Sequence, residues 1–232
     1  VPRIFNGTSD GVSINIDLSA YTAVTIDVGT RLVAPPLNRG IFEYANPNWT
    51  IGGCTCVPNN GAPNGLISFA DSTGTNFWTD HFVTPAGPNV GYTAGFDRAA
   101  RQNYLWLSGV AQTLTPVTHN VVAYGTFASS ALNIYVRNAL GAPSLFLAGD
   151  VYSVSVWNRI LTTSEALMLG GGVSAISAAP SGLICHIPMR GASPEPSYVI
   201  PHAKGTLVGT TYSKTPTYSP LWLGNRRNRG LE

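Results

Sequence analysis

Short stretches in which apolar and polar residues alternate with period two recur along this chain, and no other feature restricts its fold as strongly. Val12, Ile14, Ile16 and Leu18 are separated by Ser13, Asn15 and Asp17; Val24, Ile26 and Val28 are separated by Thr25 and Asp27. An apolar side chain at every second position is the pattern of a strand with one buried face. Similar segments cover 66–70, 77–83, 92–96, 104–107, 121–127, 132–136, 151–157, 183–187 and 206–212. Within 151–157, Tyr152, Val154 and Val156 share one face, and Val151 and Trp157 share the other. Val12, Ile14, Ile16, Tyr152, Val154 and Val156 are therefore expected to point inward. Turn clusters such as Pro35-Pro36, Pro58-Asn59-Asn60-Gly61 and Asp71-Ser72-Thr73-Gly74 separate the segments. About a dozen short strands spaced in this way predict an all-β fold, a two-sheet antiparallel jelly-roll sandwich.

One helix is expected. Thr162-Thr163-Ser164-Glu165 has the form of a capping box, Ala166, Leu167, Met168 and Leu169 follow, and Gly170-Gly171-Gly172 ends the helix. About two turns are too short to stand alone, so this helix must pack on the sandwich.

Composition bounds the function. The chain is 44% apolar and can bury a sizeable core, but no run reaches the length of a membrane-crossing helix. Charged residues make up only 10%, against roughly 25% in an average domain. So sparsely charged a surface suits an assembly, and a homo-oligomer is expected. Taking away Arg226, Arg227, Arg229 and Glu232 leaves ten basic and ten acidic residues, so the excess charge sits in the tail. A neutral body argues against a nucleic-acid groove, which needs clustered cations. Three cysteines, Cys54, Cys56 and Cys185, leave a remainder on pairing and are expected to be free thiols, as in a protein assembled in a reducing cytoplasm. A Cys-x-Cys pair without a second ligand pair points to no zinc site.

Several segments, in order, resemble the laminin-G-like, concanavalin A-like jelly rolls. They are Ile4-Phe5-Asn6-Gly7-Thr8-Ser9-Asp10-Gly11-Val12, then Tyr92-Thr93-Ala94-Gly95-Phe96-Asp97, then Tyr104-Leu105-Trp106-Leu107-Ser108-Gly109. The most specific run goes from Leu132-Asn133-Ile134-Tyr135 through Gly149-Asp150-Val151 to Trp157-Asn158-Arg159 and the capped helix. The resemblance covers roughly 4–170 and implies one domain over 1–218, with a wrapping extension at 173–218 like that of phage-encoded versions. A separate tail, 219–232, completes the chain. Calcium is the ligand the resemblance implies most readily, with Asp10 and Asp150 as candidates, but two carboxylates fall short of a full oxygen shell. No metal and no other cofactor is expected.

Glycosidases of this fold carry closely spaced carboxylates on one strand. Here Glu43, Glu165, Glu195 and Glu232 have no acidic neighbour at such spacing. Asp71 and Asp80 flank a turn, where turn-forming and surface roles are expected. His81, His119, His186 and His202 have no nucleophile motif beside them. No enzymatic activity is expected. Trp106 and Trp157 fall in alternating strands and are expected in the core, whereas Trp49 and Trp78 lie near turns and are the candidates for stacking on a sugar.

The tail joins an apolar anchor, Leu221, Trp222 and Leu223, to Arg226, Arg227 and Arg229. Arg and Trp dominate binding hot spots, so the anchor is expected to bury against protein and the arginines to meet acidic or carbonyl groups on a partner chain. Two functional readings follow. The first is a structural phage protein, a capsid decoration or cement protein or small fibre component, assembled in the host cytoplasm and bound to other virion proteins. The alternative is a glycan-binding lectin or adhesion domain on the same fold. Neither a membrane nor a nucleic-acid partner is expected.

Overall fold

The computed structural model describes residues 2–32, 35, 37–45, 50–61, 64–84, 89–120, 125–139, 142–189, 195–196 and 204–208. Its strands, in chain order, are β1 (Arg3–Asn6), β2 (Gly11–Asn15), β3 (Ala23–Leu32), β4 (Phe42–Ala45), β5 (Cys54–Val57), β6 (Asn64–Ala70), β7 (Phe77–Val83), β8 (Asn89–Asp97) and β9 (Gln102–Leu107). Then follow β10 (Val110–Ala111), β11 (Thr115–His119), β12 (Ala131–Ile134), β13 (Arg137–Ala139), β14 (Ala142–Ser144), β15 (Ala148–Trp157), β16 (Leu183–Pro188), β17 (Glu195–Pro196) and β18 (Lys204–Val208). Helices α1 (Thr163–Gly170) and α2 (Ala175–Ala178) lie between β15 and β16. Neither is long or apolar enough to cross a membrane.

Two antiparallel sheets face each other, as the alternation predicts. Sheet A runs β1-β15-β3-β8-β9-β10, with β16 pairing β15 beyond the end of β1. Sheet B runs β11-β7-β6-β5-β4-β12-β2-β18-β17. Between them lies one apolar core that includes Val12, Ile14, Ile16, Val24, Ile26, Val28, Phe42, Tyr44, Ile67, Phe69, Phe96, Val154 and Val156. Cys54, Cys56 and Cys185 are buried free thiols in this core.

Three expectations need correction. Tyr152 does not enter the core: the β15–β3 register shifts between Val151 and Ser153, and Val151 takes the inward position instead. A bulge inserts one residue and reverses the side-chain alternation beyond it. Trp106 and Trp157 are buried, as expected; Trp157 belongs to a second cluster with Leu161, Ala175, Ala179 and Leu183. The strand expected at 121–127 falls partly outside the described residues; residues 125–127 form no strand, although Phe127 is buried. Asp71 and Asp80 are not surface residues; both are buried.

β4 and β5 show why alternation alone missed two strands. Every residue in both is buried. Glu43 and Thr55, on the outer face of sheet B, fall in a cross-strand line with Asn133, Ser68 and Thr79, and Arg137 Nε donates to Glu43 at 2.9 Å. Both strands keep the apolar–polar rhythm, but four residues are too few for it to stand out from the neighbouring turns.

Candidate functional site

The outer face of sheet A is built by Thr25, Asp27, Gly29 and Arg31 of β3 and the residues aligned with them. Asp27 lies opposite Ser155 on one side and Thr93 on the other; Ser155 is followed by His186, and Thr93 by Trp106. This row would meet water if the segment after β15 did not cross it. Thr25 Oγ1 donates to the Arg159 carbonyl (2.8 Å) and accepts from the Leu161 amide (3.2 Å), while Trp157 Nε1 donates to the Ala179 carbonyl (2.6 Å). Thr162 and Glu165 form the expected capping box, and Arg159 holds both Glu165 oxygens. Helix α1 turns Ala166 toward the sheet, and glycine permits the approach: a Cβ on Gly109 would sit 2.8 Å from Leu167 Cα. Beneath this cover Thr93 Oγ1 donates to Asp27 at 2.6 Å. Burial pushes the Asp27 carboxyl up to about 6, against the lowering effect of that hydrogen bond. Burial likewise holds the His186 imidazole below its usual range, with Ser155 Oγ 2.9 Å from its Nδ1.

One step along the same strands the face is open among the described residues. Gly29 lies opposite Gly91, and a Cβ built on Gly91 would meet nothing within 4 Å. Gly29 is flanked by β15: its missing Cβ would lie 3.1 Å from Ser153 Oγ and 3.7 Å from Tyr152 Cβ. The bulge that removes Tyr152 from the core thus places it, half-buried, beside a floor of bare backbone. Bulges commonly re-aim a side chain next to a site. At the far end Arg31 is aligned with Asp150, its Nη1 3.8 Å from the Asp150 carboxylate. Burial raises the Asp150 carboxyl and Arg31 opposes the rise; burial, and then Asp150, raise the Tyr152 phenol. An aromatic ring, a donor fork, a carboxylate and a hydroxyl therefore border a shallow glycine floor. That set offers recognition of a small polar ligand with one apolar face.

The residues expected from the sequence lie elsewhere. Trp78, on β7, is half-buried and has one ring face on His119, with centroids 3.8 Å apart and planes within 10°. Beside it Asp80 accepts from Asn103 Nδ2 and meets His119 Nε2, each at 2.8 Å. Asp71 instead closes its turn by accepting from Thr73, Gly74 and Asn76, so the two aspartates have separate partners. Asp10 accepts from the Asn6 amide and from Ser9 Oγ, a turn role, and Asp150 faces Arg31. Among the described residues no three metal-ligating side chains converge. Trp49, Leu221, Trp222, Leu223, Arg226, Arg227 and Arg229 lie outside the described residues. Arg31, Gly29 and Gly91 were not singled out by sequence reasoning, and Tyr152 was expected in the core. The available signal was a glycine inside each of two strand patterns, Val28-Gly29-Thr30 and Val90-Gly91-Tyr92, which marks a bulge or a close approach.

No family model and no curated protein matches the sequence. Solved structures do share the fold. A Bacteroides ovatus protein provisionally assigned as carbohydrate-binding superposes with a TM-score of 0.62 at 10% identity; the match covers 90% of this chain but only 58% of that one. The CBM40 module of a Ruminococcus gnavus IT-sialidase superposes with a TM-score of 0.52 at 13% identity, covering 72% of this chain and 96% of the module. The same module bound to α2,3-sialyllactose gives 0.53. At these identities the likeness is one of fold.

Proposed function

We propose that this protein is a non-catalytic glycan-binding domain whose site is the Gly29–Gly91 floor. The observation that carries the reading is the open backbone floor beside a tyrosine that a bulge has turned out of the core. A pyranose has a flat C–H face that suits an aromatic ring, and its hydroxyls suit the Arg31 fork and the Asp150 carboxylate. The fold neighbours are in keeping with this, since two of those compared are described as carbohydrate-binding or are bound to a sugar. The virion reading depends on the tail from 219 onward, outside the described residues, so glycan binding takes precedence. A glycan array followed by calorimetry on the wild type, Gly91→Leu and Tyr152→Ala tests the proposal. A Cβ at Gly91 meets nothing within 4 Å, so a leucine there is expected to cover the floor at little cost to the fold. Affinity is expected to fall about tenfold or more in both variants, the order of one lost good contact, with the melting temperature of Gly91→Leu unchanged. Failure of the wild type to bind any glycan, or wild-type affinity in both variants, would overturn it.

A further inference from the structure

The glycine floor is the middle of a longer strip. In register with Gly29 and Gly91, Ser153 follows on β15 and Pro188 on β16. On the other side Ser108, just past the end of β9, is bonded to Gly91 twice: its amide donates to the Gly91 carbonyl at 2.8 Å, and its Oγ accepts from the Gly91 amide at 3.3 Å. The row Ser108, Gly91, Gly29, Ser153 and Pro188 therefore crosses sheet A from β9 to β16 on small side chains and one proline ring. None of these residues is buried; Ser108 is exposed and the others are half-buried. Helix α1 approaches Ser108 through the Gly170 backbone, yet Ser108 stays exposed.

The neighbouring row on the same face is Trp106, Thr93, Asp27, Ser155 and His186, and all but His186 are buried. Glycine alone does not make the opening. A Cβ on Gly95, farther along β8, would lie 3.2 Å from Tyr104 and 3.3 Å from Ile160 of the covering segment. The open row is thus a trough across the strands, with the buried row as one wall and Tyr152, Arg31 and Asp150 on the other side.

Its size and charge restrict what can lie in it. Strands about 4.8 Å apart make the row about 19 Å long, and Asp27 and Arg31, on either side of it, are about 13 Å apart along β3. A pyranose is about as wide as one strand spacing, so a chain of about three or four units fits along the row. Among the described residues, two carboxylates, Asp27 and Asp150, border it against the one guanidinium of Arg31. An acidic chain would meet more repulsion than attraction there.

We propose that the ligand is a run of several sugars of an extended, uncharged glycan chain, laid across the strands from Ser108 to Pro188, with Tyr152 beside its middle. This rests on the glycan-binding reading of the same site and names the class of chain it takes. A single terminal sugar would occupy only the Gly29 and Gly91 cell.

The test needs no variant. The full chain is titrated calorimetrically with ladders of one to six units of β1,4-linked glucose, xylose, mannose and N-acetylglucosamine, chains that run extended, and with an acidic ladder of galacturonic acid. Affinity for a neutral ladder is expected to rise about tenfold or more between one unit and four, the order of one or more added good contacts, and then to level off. Backbone amide NMR shifts on adding the four-unit chain should run from Ser153 through Gly29 and Gly91 to Ser108. Equal affinity for one unit and four, shifts confined to Gly29 and Gly91, tighter binding of the acidic ladder, or no binding of any neutral ladder would overturn the proposal. The glycan site itself falls only if a glycan array is silent as well.

Discussion

Two halves of a single sheet face behave oppositely in this protein. On β3, β8 and β15, the half containing Thr25, Asp27, Thr93, Ser155 and Trp157 is closed by the segment that runs through α1 and α2. Among the described residues nothing closes the half containing Gly29, Gly91, Tyr152 and Arg31. The same strands, with the same alternation, thus present an acid forced toward its neutral form at one step and a bare glycine floor at the next. Polar residues on an outward face do not by themselves mark a site. What distinguishes the halves is where the chain crosses, and that depends on Trp157, Leu161 and Ala179 finding one another.

The closed half is broken most severely at Trp157. It is fully buried and gives its indole N–H to the Ala179 carbonyl. Trp157→Ala is expected to cost about 3–5 kcal/mol, measured by urea unfolding, and to open the cover. A loss below about 1 kcal/mol would mean that the cover is not a packed layer.

Asp27 comes next. Its folded-state value, about 6, lies above the ordinary carboxylate value of 3.8. The folded protein therefore holds this proton more tightly than the unfolded chain does. The contribution is fully present below pH 4 and is lost as pH rises through about 6. Asp27→Asn should remove that slope and raise stability at pH 7 by roughly 1–3 kcal/mol, read from unfolding curves at pH 4, 5, 6 and 7. Glu165, in the cover itself, works with the opposite sign. The Arg159 hydrogen bond holds its carboxyl down at about 2, so its contribution is present above its ordinary 4.5 and is lost as pH falls toward 2. Denaturation profiles of Asp27→Asn and Glu165→Gln should accordingly flatten different ends of the acid range.

Smaller still is the cap. Thr162 Oγ1 accepts from the Glu165 amide, and Thr162→Ala should cost about 1 kcal/mol in the same unfolding assay. At the bottom of the stability scale is Gly91→Leu on the open half, expected within about 0.5 kcal/mol of wild type while glycan affinity falls about tenfold or more. Equal effects of Thr162→Ala and Gly91→Leu on stability would erase the contrast between the two halves.

Much of this was legible in the residues. Period two in 12–18 and 24–28 located β2, β3 and their inward faces, and Thr162 to Glu165 located the helix and its cap. These are local signals: alternation and capping are written within a few positions. β4 and β5 were not legible because each is only four residues long, so the alternations Phe42-Glu43-Tyr44 and Cys54-Thr55-Cys56 are too short to stand out. The site was legible only in outline. Gly29 and Gly91 are separated by sixty-two positions and become one floor only when β3 and β8 pair in register.

The sequence by itself determined the all-β sandwich, the identity of most inward residues, the capped helix and the free thiols, because each rests on short-range pattern or on simple counting. Only the tertiary structure decided which face Tyr152 takes, since a bulge depends on the pairing between β15 and β3 and leaves no mark in the alternation of β15 alone. It also decided that Trp157 is buried under a helical layer outside the inter-sheet core, and that the Asp27 carboxyl is lifted. Burial and desolvation are properties of what lies above a side chain, and in this protein the covering segment arrives from more than a hundred residues away along the chain.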